Sequence, residues 1–406
     1  MRVLLLTQWF DPEPTPKGLA FARELVRQGF EVEVVTGFPN YPGGKLYPGY
    51  RMQIIQRELI EGVQVTRLPL YMSHDSSALR RIANYGSFAA SLLFYGVFLA
   101  RRADVIYAYH PPLTVGIAAR FIRMFRRTPV VYDIQDMWPD TLRATGMLNS
   151  EKALGFVGKA CDWVYRGMDR IVVLSPGFRR LLIERGVPES KLDVIYNWCD
   201  ESQLADVASG LPPAFPGAEN FRVLFAGTMG KAQALDAVME AAAQLLSSRP
   251  EVRFVFVGGG VEVERLKRVV LERQLVNVVF IPRVPMSEVG AMLQAADALL
   301  VHLKDDPLFT ITIPSKTQAY MATGKPVLMA VRGDAADLVR VSDCGVCVEP
   351  ENAASIVGAV ENLLDMGAAN RQAMGQRGKD YYQRELSLAV GVARFAELFK
   401  QLVSRG

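Results

Sequence analysis

A chain of 406 residues, half of them hydrophobic, is long enough for two ordinary domains with separate cores, which excludes a disordered or low-complexity protein. Its formal charge of +4 is unevenly spread: residues 1–200 hold 25 Lys and Arg against 19 Asp and Glu, and the remainder holds 21 against 23. Four scattered cysteines exclude a disulfide framework and indicate a reducing, cytoplasmic setting, and the start at Met1 directly before an apolar run argues against a signal peptide.

The chain opens with a strand at Arg2–Leu6, a turn-rich loop to Gly18, an amphipathic helix over Leu19–Gln28 and a second strand at Glu31–Thr36. Next comes Ala83–Ala100, apolar enough to suggest a membrane span and flanked by arginine pairs. Asn84, Ser87 and Ser91 interrupt it, so three readings stand: a domain helix touching the bilayer, a core helix with solvated arginines at its ends, and a true span. Leu79–Arg127 carries eight arginines (Arg80, Arg81, Arg101, Arg102, Arg120, Arg123, Arg126 and Arg127) against one acid, Asp104. That field suits an anionic partner, here a membrane surface rather than a nucleic acid.

Further strands are expected at Val105–Tyr109, Val130–Tyr132 and Ile171–Leu174. His110 follows the first of these, at a strand's carboxyl end near the expected cleft; a functional role and a structural one are both open. Asp136, with Asp133 as its rival, ends another strand-to-loop transition and could act as a general base or merely cap the loop before Trp138-Pro139.

Asn197–Asn220 contains Gly210, Pro212, Pro213, Pro216 and Gly217 without periodicity and reads as a linker. Beyond it the opening order recurs: a strand at Arg222–Phe225, a loop with Gly227 and Gly230, a helix over Leu235–Leu246 and a strand at Arg253–Val257. Val278–Ile281, Ala298–Val301 and Val327–Ala330 complete a second set. Helices between these runs predict two Rossmann-like α/β domains with parallel sheets facing across a central cleft. The expected divisions are 1–199, a linker at 200–220, 221–384, and a helical segment 385–406 returning to the first domain.

Several chemistries are disfavoured. No phosphate loop of the NTPase type occurs, Gly258-Gly259-Gly260 is not a dinucleotide fingerprint, and no Asp-x-Asp pair exists. His74, His110 and His302 lack metal-ligand spacing, and Cys344-Gly-Val-Cys347 lacks a second pair, so no metal is predicted. Positive groups remain: the loop Ala226–Lys231, whose glycines admit an anion to the backbone, and the helix start at Ser315-Lys316. Ser315 capping the helix with Lys316 solvated is the alternative for an isolated motif; two anion sites on one domain suggest a diphosphate.

The segments Ala226–Asp236, Ile281-Pro-Arg-Val-Pro285 and Ile313–Val327 resemble the donor domain of retaining family-four glycosyltransferases of the two-Rossmann GT-B type. Asp11-Pro-Glu-Pro14, Thr36–Gly44 and Asp136-Met-Trp-Pro-Asp140 resemble its WbuB-like branch, which transfers acetamido-deoxy sugars in surface-polysaccharide assembly. The resemblance covers almost the whole chain and implies a UDP-sugar donor without other cofactor, and a polyprenyl-diphosphate-linked acceptor at the inner face of the plasma membrane. It places Lys231 and Lys316 on the diphosphate, Arg283 beside the base, Gln318 or Thr312 near ribose or sugar, Gly18 facing the phosphates, and His110 against the transferred sugar. The family's paired glutamates are replaced by Ile311 and Ala319, so retention is implied by the resemblance alone. A UDP-sugar 2-epimerase and a non-catalytic scaffold are the competing classes.

Overall fold

Short apolar runs separated by helices settle into two sheets, and burial of both sheet faces explains why their strands are nearly continuous in Val, Ile, Leu and Phe. The computed structural model describes every residue except 74–77, 145, 202–203, 205–209 and 405–406; His74 and part of the expected linker lie outside the described residues. The chain divides into Met1–Tyr196 with Gly391–Gly406, and Asn197–Val390. The division thus falls just ahead of the expected linker. Phe215, inside that stretch, is buried and lies 6.0 Å from the Arg222 guanidinium.

The first unit contains β1 (Arg2–Leu6), α1 (Leu19–Arg27), β2 (Glu31–Gly37), β3 (Gln56–Ile60), β4 (Val63–Leu68), α2 (Ala78–Phe94), β5 (Val105–His110), α3 (Leu113–Arg126), β6 (Val130–Ile134), α4 (Asp140–Ala144), α5 (Glu151–Arg166), β7 (Arg170–Val173), α6 (Pro176–Glu184) and β8 (Leu192–Val194). Its sheet runs β3-β4-β2-β1-β5-β6-β7-β8. Every pairing is parallel except β3 with β4, which pair antiparallel. The sequence reading anticipated neither strand, nor β8. The turn Glu61-Gly62 has positive φ at both residues, 46° and 84°, the geometry of a two-residue hairpin. Alternation was obscured because Arg67, a charged residue in β4, is fully buried. Its guanidinium donates to Glu58 Oε1 (2.5 Å), the Asp11 carbonyl (2.6 Å) and the Tyr50 hydroxyl (3.3 Å).

The second unit contains β9 (Phe221–Thr228), α7 (Asp236–Ser248), β10 (Val252–Gly259), α8 (Val263–Glu272), β11 (Val278–Ile281), α9 (Met286–Ala295), β12 (Ala298–His302), α10 (Pro307–Thr310), α11 (Ser315–Thr323), β13 (Val327–Ala330), α12 (Asp334–Ser342), β14 (Gly345–Cys347), α13 (Ala353–Asp365) and α14 (Gly367–Tyr381). Its parallel sheet runs β11-β10-β9-β12-β13-β14. Cys344 precedes β14 and Cys347 is its last residue, both free thiols. A last helix, α15 (Leu388–Ser404), puts Phe395 and Phe399 among Phe21, Tyr107 and Phe30 at ring separations of 5.3–6.3 Å, which fixes its second half in the first unit.

In each sheet the strand order reverses once, between β1 and β5 in the first unit and between β9 and β12 in the second. Within each unit, the loops leaving the carboxyl ends of its own two strands at that reversal bound a crevice, the place where open α/β sheets bind ligands. Two segments that the sequence reading treated separately, Asp11–Pro14 and Thr36–Gly44, meet at this edge of the first unit. The buried Glu13 carboxylate accepts the amides of Asn40 and Tyr41 at 2.7 Å and of Phe10 at 3.3 Å. Replacing Glu13 by Ala strands these amides; each unsatisfied buried amide costs about 1–3 kcal/mol, so thermal melting should show a loss of several degrees.

Candidate active site

In the second unit, β9 leads into the glycine loop, and β10 closes on it backbone to backbone. Gly258 pairs with Gly227, and a Cβ on Gly258 (φ 136°) would fall 2.1 Å from the Gly227 carbonyl oxygen. Sequence inspection recorded Gly258 only as part of a failed dinucleotide motif. Its signal was the glycine triplet, but which backbone it admits is a tertiary fact. Gly258→Ala should move the Gly227 loop, costing about 1–3 kcal/mol for the strained φ, read as a lower melting temperature than a surface substitution gives.

Lys316 enters this loop from the second position of α11. Its Nζ is enclosed, stands 3.4 Å from the Phe225 ring centroid, and lies 3.3 Å from where a Cβ on Gly227 would be. No acceptor reaches it among the described residues, and burial pulls its pKa down to about 7. No side chain caps the α11 N-terminus: Pro314 occupies the cap position, and Ser315 is the exposed first residue of the helix. The structure therefore places Ser315 inside the helix rather than at its cap, with first-turn amides facing outward. Tyr320 anchors the same helix to β9 by accepting the Ala226 amide at 2.8 Å.

The rest of the loop is more committed than its glycines suggested. The Gly230 amide donates to Gln233 Oε1 (2.9 Å) and the Met229 amide to the Gly259 carbonyl (2.9 Å), so neither is available to an anion. Lys231 is exposed on the turn Lys231–Gln233, in a depression of about 410 Å³ shared with Asp236, Glu262, Arg265, Lys304 and Glu351. Lys316 is not part of that lining, and its mixed charge makes Lys231 a weaker diphosphate ligand. His302, unassigned by sequence, holds the turn in place. Its Nε2 accepts the Glu351 amide (3.2 Å), which leaves Nδ1 to donate to the Gln233 carbonyl (2.7 Å).

Other donor-side expectations fare unequally. Gln318 is buried, and its amide nitrogen lies 3.1 Å from the Pro314 carbonyl and 3.2 Å from that of Ser315 once oriented to satisfy both, so it serves its own helix instead of a ribose. Thr312 Oγ1 donates to the Leu308 carbonyl (2.8 Å). Arg283 stands exposed on the loop after β11, without an ion pair among the described residues. Ile311 and Ala319 are half-buried and apolar, so the tract offers no carboxylate nucleophile at either position. The loop after Arg332 abuts α10: a Cβ on Gly333 would fall 1.9 Å from the Thr310 carbonyl oxygen.

In the first unit, Gly18 caps α1, but the helix's anion site is already filled. Asp11 Oδ2 accepts the Leu19 amide at 2.6 Å and lies 2.2 Å from where a Gly18 Cβ would be. The expected phosphate contact of Gly18 is thus taken by an internal carboxylate. Lys17 is buried near the Phe395 ring (5.1 Å), and its charge couples to buried Asp133. Asp133 also accepts from Tyr107 and Gln135 at 2.5 Å, which removes it as a rival to Asp136.

Asp136 is half-buried, with its carboxyl raised by desolvation and no side-chain partner among the described residues. The loop turn before Pro139 is closed by its backbone carbonyl, which accepts the Trp138 amide (3.0 Å), so capping does not engage the carboxylate. His110 is buried at the β5 end between the edges of Trp138 (5.2 Å) and Tyr132 (5.9 Å). Both ring nitrogens lack partners among the described residues, unlike those of His302, and burial lowers the ring's pKa to about 3.

The eight arginines separate into two groups. Arg123 pairs bidentately with Asp169 at 2.6 Å, Arg126 binds the Gly96 and Ala100 carbonyls, and Arg120 stacks 3.9 Å over Trp163. These three are internal fastenings, a correction to their expected role against an acceptor or membrane. Arg80, Arg101, Arg102 and Arg127 are exposed and Arg81 half-exposed.

The two α/β units are those of the GT-B fold, and the second carries an uncapped helix N-terminus with a buried lysine that no acceptor reaches among the described residues. Two family descriptions match in order, "Glycosyl transferase 4-like domain" over residues 19–198 and "Glycosyl transferases group 1" over residues 215–381. The chain belongs to the family-four glycosyltransferases. It is 27% identical to a colanic acid biosynthesis glycosyl transferase of Escherichia coli K12, WcaI, over 95% of this chain and 96% of that one. It is 25% identical to the glycosyltransferase WbjE of Pseudomonas aeruginosa, over 75% and 76% of the two. Anabaena HepE, solved in complex with UDP, shares the fold with a TM-score of 0.71 at 16% identity, covering 99% of this chain and 100% of that one.

Proposed function

We propose that the protein transfers a sugar, an N-acetylated deoxy-amino sugar by its WbuB-like segments, from a UDP-sugar to a polyprenyl-diphosphate-linked saccharide during surface-polysaccharide assembly, at the cytoplasmic face of the membrane. The observation that carries this reading is the enclosed, unpartnered Lys316 ammonium beside Gly227 at the uncapped start of α11. A buried charge without a partner is costly, and a diphosphate supplies the missing one. HepE, with UDP bound in its own structure, and WcaI, named for colanic acid biosynthesis, support the donor class and the setting.

In this reading the bond between the anomeric carbon and the diphosphate oxygen breaks, UDP leaves with the bonding electrons, and Lys316 with the α11 amides holds the developing charge. The acceptor oxygen bonds to the anomeric carbon from the same face, giving retention without the carboxylate that Ile311 and Ala319 lack. Asp136 takes the acceptor's proton, and neutral His110 hydrogen-bonds a sugar hydroxyl. A panel of UDP-sugars with lipid-linked N-acetylhexosamine tests the proposal. Sugar transfer with release of UDP is expected. Epimerisation of the UDP-sugar without acceptor, or UDP binding without transfer, overturns it.

A further inference from the structure

Helix α2 has two apolar sides: Phe88 and Leu92, fully buried, face the domain next to a row of polar residues, and a second apolar side faces outward. Asn84, Ser87, Ser91 and Tyr95 follow one another at helical spacing, and each is hydrogen-bonded inward. Asn84 accepts from Gln8 (2.6 Å) and donates to the Tyr71 carbonyl (2.7 Å). Ser87 accepts the Tyr71 amide (2.8 Å), Ser91 donates to the Pro69 carbonyl (2.8 Å), and the Tyr95 hydroxyl donates to buried Glu33 (2.6 Å). The outward side carries Leu79, Ile82, Ala83, Gly86, Ala90 and Phe94, all exposed and none charged.

The helix continues through a π-helical turn, Tyr95–Leu99, that presents Phe98 at 70% exposure and Leu99 at 44%. Phe94 and Phe98, both exposed, pack as a tilted ring pair with centroids 5.3 Å apart. Arg126 ties this turn to the end of α3, where Met124 and Phe125 are also exposed. The result is one apolar promontory built from two helix ends. Arg101, Arg102 and Arg127 surround it, and Arg80 and Arg81 stand at the far end of α2. Leu79–Leu99 is long and apolar enough to cross a membrane, yet the inward polar row fixes it to the sheet of its own unit. A core helix would be mostly buried; 28% of this one is.

We propose that the outward face of α2, with the promontory Phe94, Phe98, Leu99, Met124 and Phe125, embeds in the headgroup–acyl boundary of an anionic phospholipid bilayer, the helix lying parallel to the surface. At about 1.5 Å per residue the segment extends roughly 30 Å along the membrane plane. The lipid is chosen over a second protein by the charge pattern. Exposed arginines ring the apolar face, and the one exposed acid beside them, Asp104, accepts the Arg2 amide (2.7 Å), so the balance stays positive and an anionic interface matches both features at once. Arg101, Arg102 and Arg127 meet the phosphates while the phenylalanines enter the acyl region. This rests on the lipid-linked acceptor of the proposed function only for its purpose, since bilayer binding is measurable without donor or acceptor.

Flotation of the purified full chain with phosphatidylglycerol-containing vesicles provides the test, with phosphatidylcholine vesicles as comparison. The protein should rise with the anionic vesicles, partly in high salt. The double variant Phe94→Ser/Phe98→Ser should lose at least about tenfold in partitioning, since each buried ring supports insertion strongly. Arg101→Gln/Arg102→Gln should lose the preference for anionic lipid. UDP binding and the melting temperature should be unchanged in both variants, which separates failure at the membrane from failure of the donor site. The proposal is overturned if the wild type stays with the unbound fraction, if the Phe variant floats equally well, or if light scattering shows the wild type dimeric and the Phe variant monomeric.

Discussion

Lys316→Met should sharply reduce sugar transfer and at the same time raise the stability of the ligand-free protein. The two effects have one cause. An ammonium enclosed beside Phe225 and Gly227, without an acceptor, destabilises the free fold, and the same ammonium is what a diphosphate needs. With the pKa lowered from 10.5 to about 7, the unfolded chain binds a proton that the folded chain releases throughout the window between those values. Wild-type stability therefore rises with pH from about 7 to 10.5, and the deficit at neutral pH is up to about 4 kcal/mol. The Met variant, similar in length and uncharged, should lose that slope and unfold at higher temperature near pH 7. Its turnover should fall by roughly 10²–10³, the loss seen when one preorganised electrostatic donor is removed from a reacting site. UDP binding to the wild type should take up a proton near pH 7, read as a dependence of calorimetric heat on buffer ionisation enthalpy. A variant with unchanged turnover would remove Lys316 from the donor site.

His110→Phe is the second large expected effect, and it separates a substrate-facing histidine from a structural one. A structural histidine would resemble His302, whose two nitrogens are both satisfied. Those of His110 are not, so replacing the ring with an apolar one removes no hydrogen bond among the described residues and retains the edge contacts with Trp138 and Tyr132. Melting should be nearly unchanged at neutral pH. Turnover should fall roughly 10²-fold, the effect of losing one hydrogen bond that strengthens in the transition state. The pH profile adds a second check. With its pKa depressed from 6.5 to about 3, His110 remains neutral through the physiological range and contributes no limb near 6.5 to the rate profile. Below 6.5 the unfolded chain binds a proton that the folded chain refuses, so wild-type stability falls with acidification, and the Phe variant should lack that share of the loss. A clear fall in melting temperature with normal turnover would make His110 a core residue.

Much of the architecture was legible in one dimension because parallel strands buried on both faces are continuous apolar runs, and the glycine after Thr323 stops α11 where a left-handed residue is required. The uncapped start of α11 beside the Gly227 loop was legible in part, since a helix start that exposes amides is a local property of the backbone. Long-range partners were not. Asp11 fills the anion site of α1 from eight residues away, Arg67 carries a buried charge through a strand, and Gln318 turns back onto its own helix; each looks in sequence like an ordinary exposed polar residue. The arginine cluster shows the same limit. Eight equal letters proved to be three fastenings and five surface groups, because Asp169, Trp163 and two backbone carbonyls lie next to Arg123, Arg120 and Arg126 only after folding. Sequence by itself determined the family, the two α/β domains and the class of chemistry, all of which depend on local pattern and order. Tertiary structure alone decided which charges remain unpaired, because pairing is set by what the fold brings within a few ångströms. It also decided which side of α2 faces outward, since that depends on where the inward row from Asn84 to Tyr95 finds its hydrogen bonds.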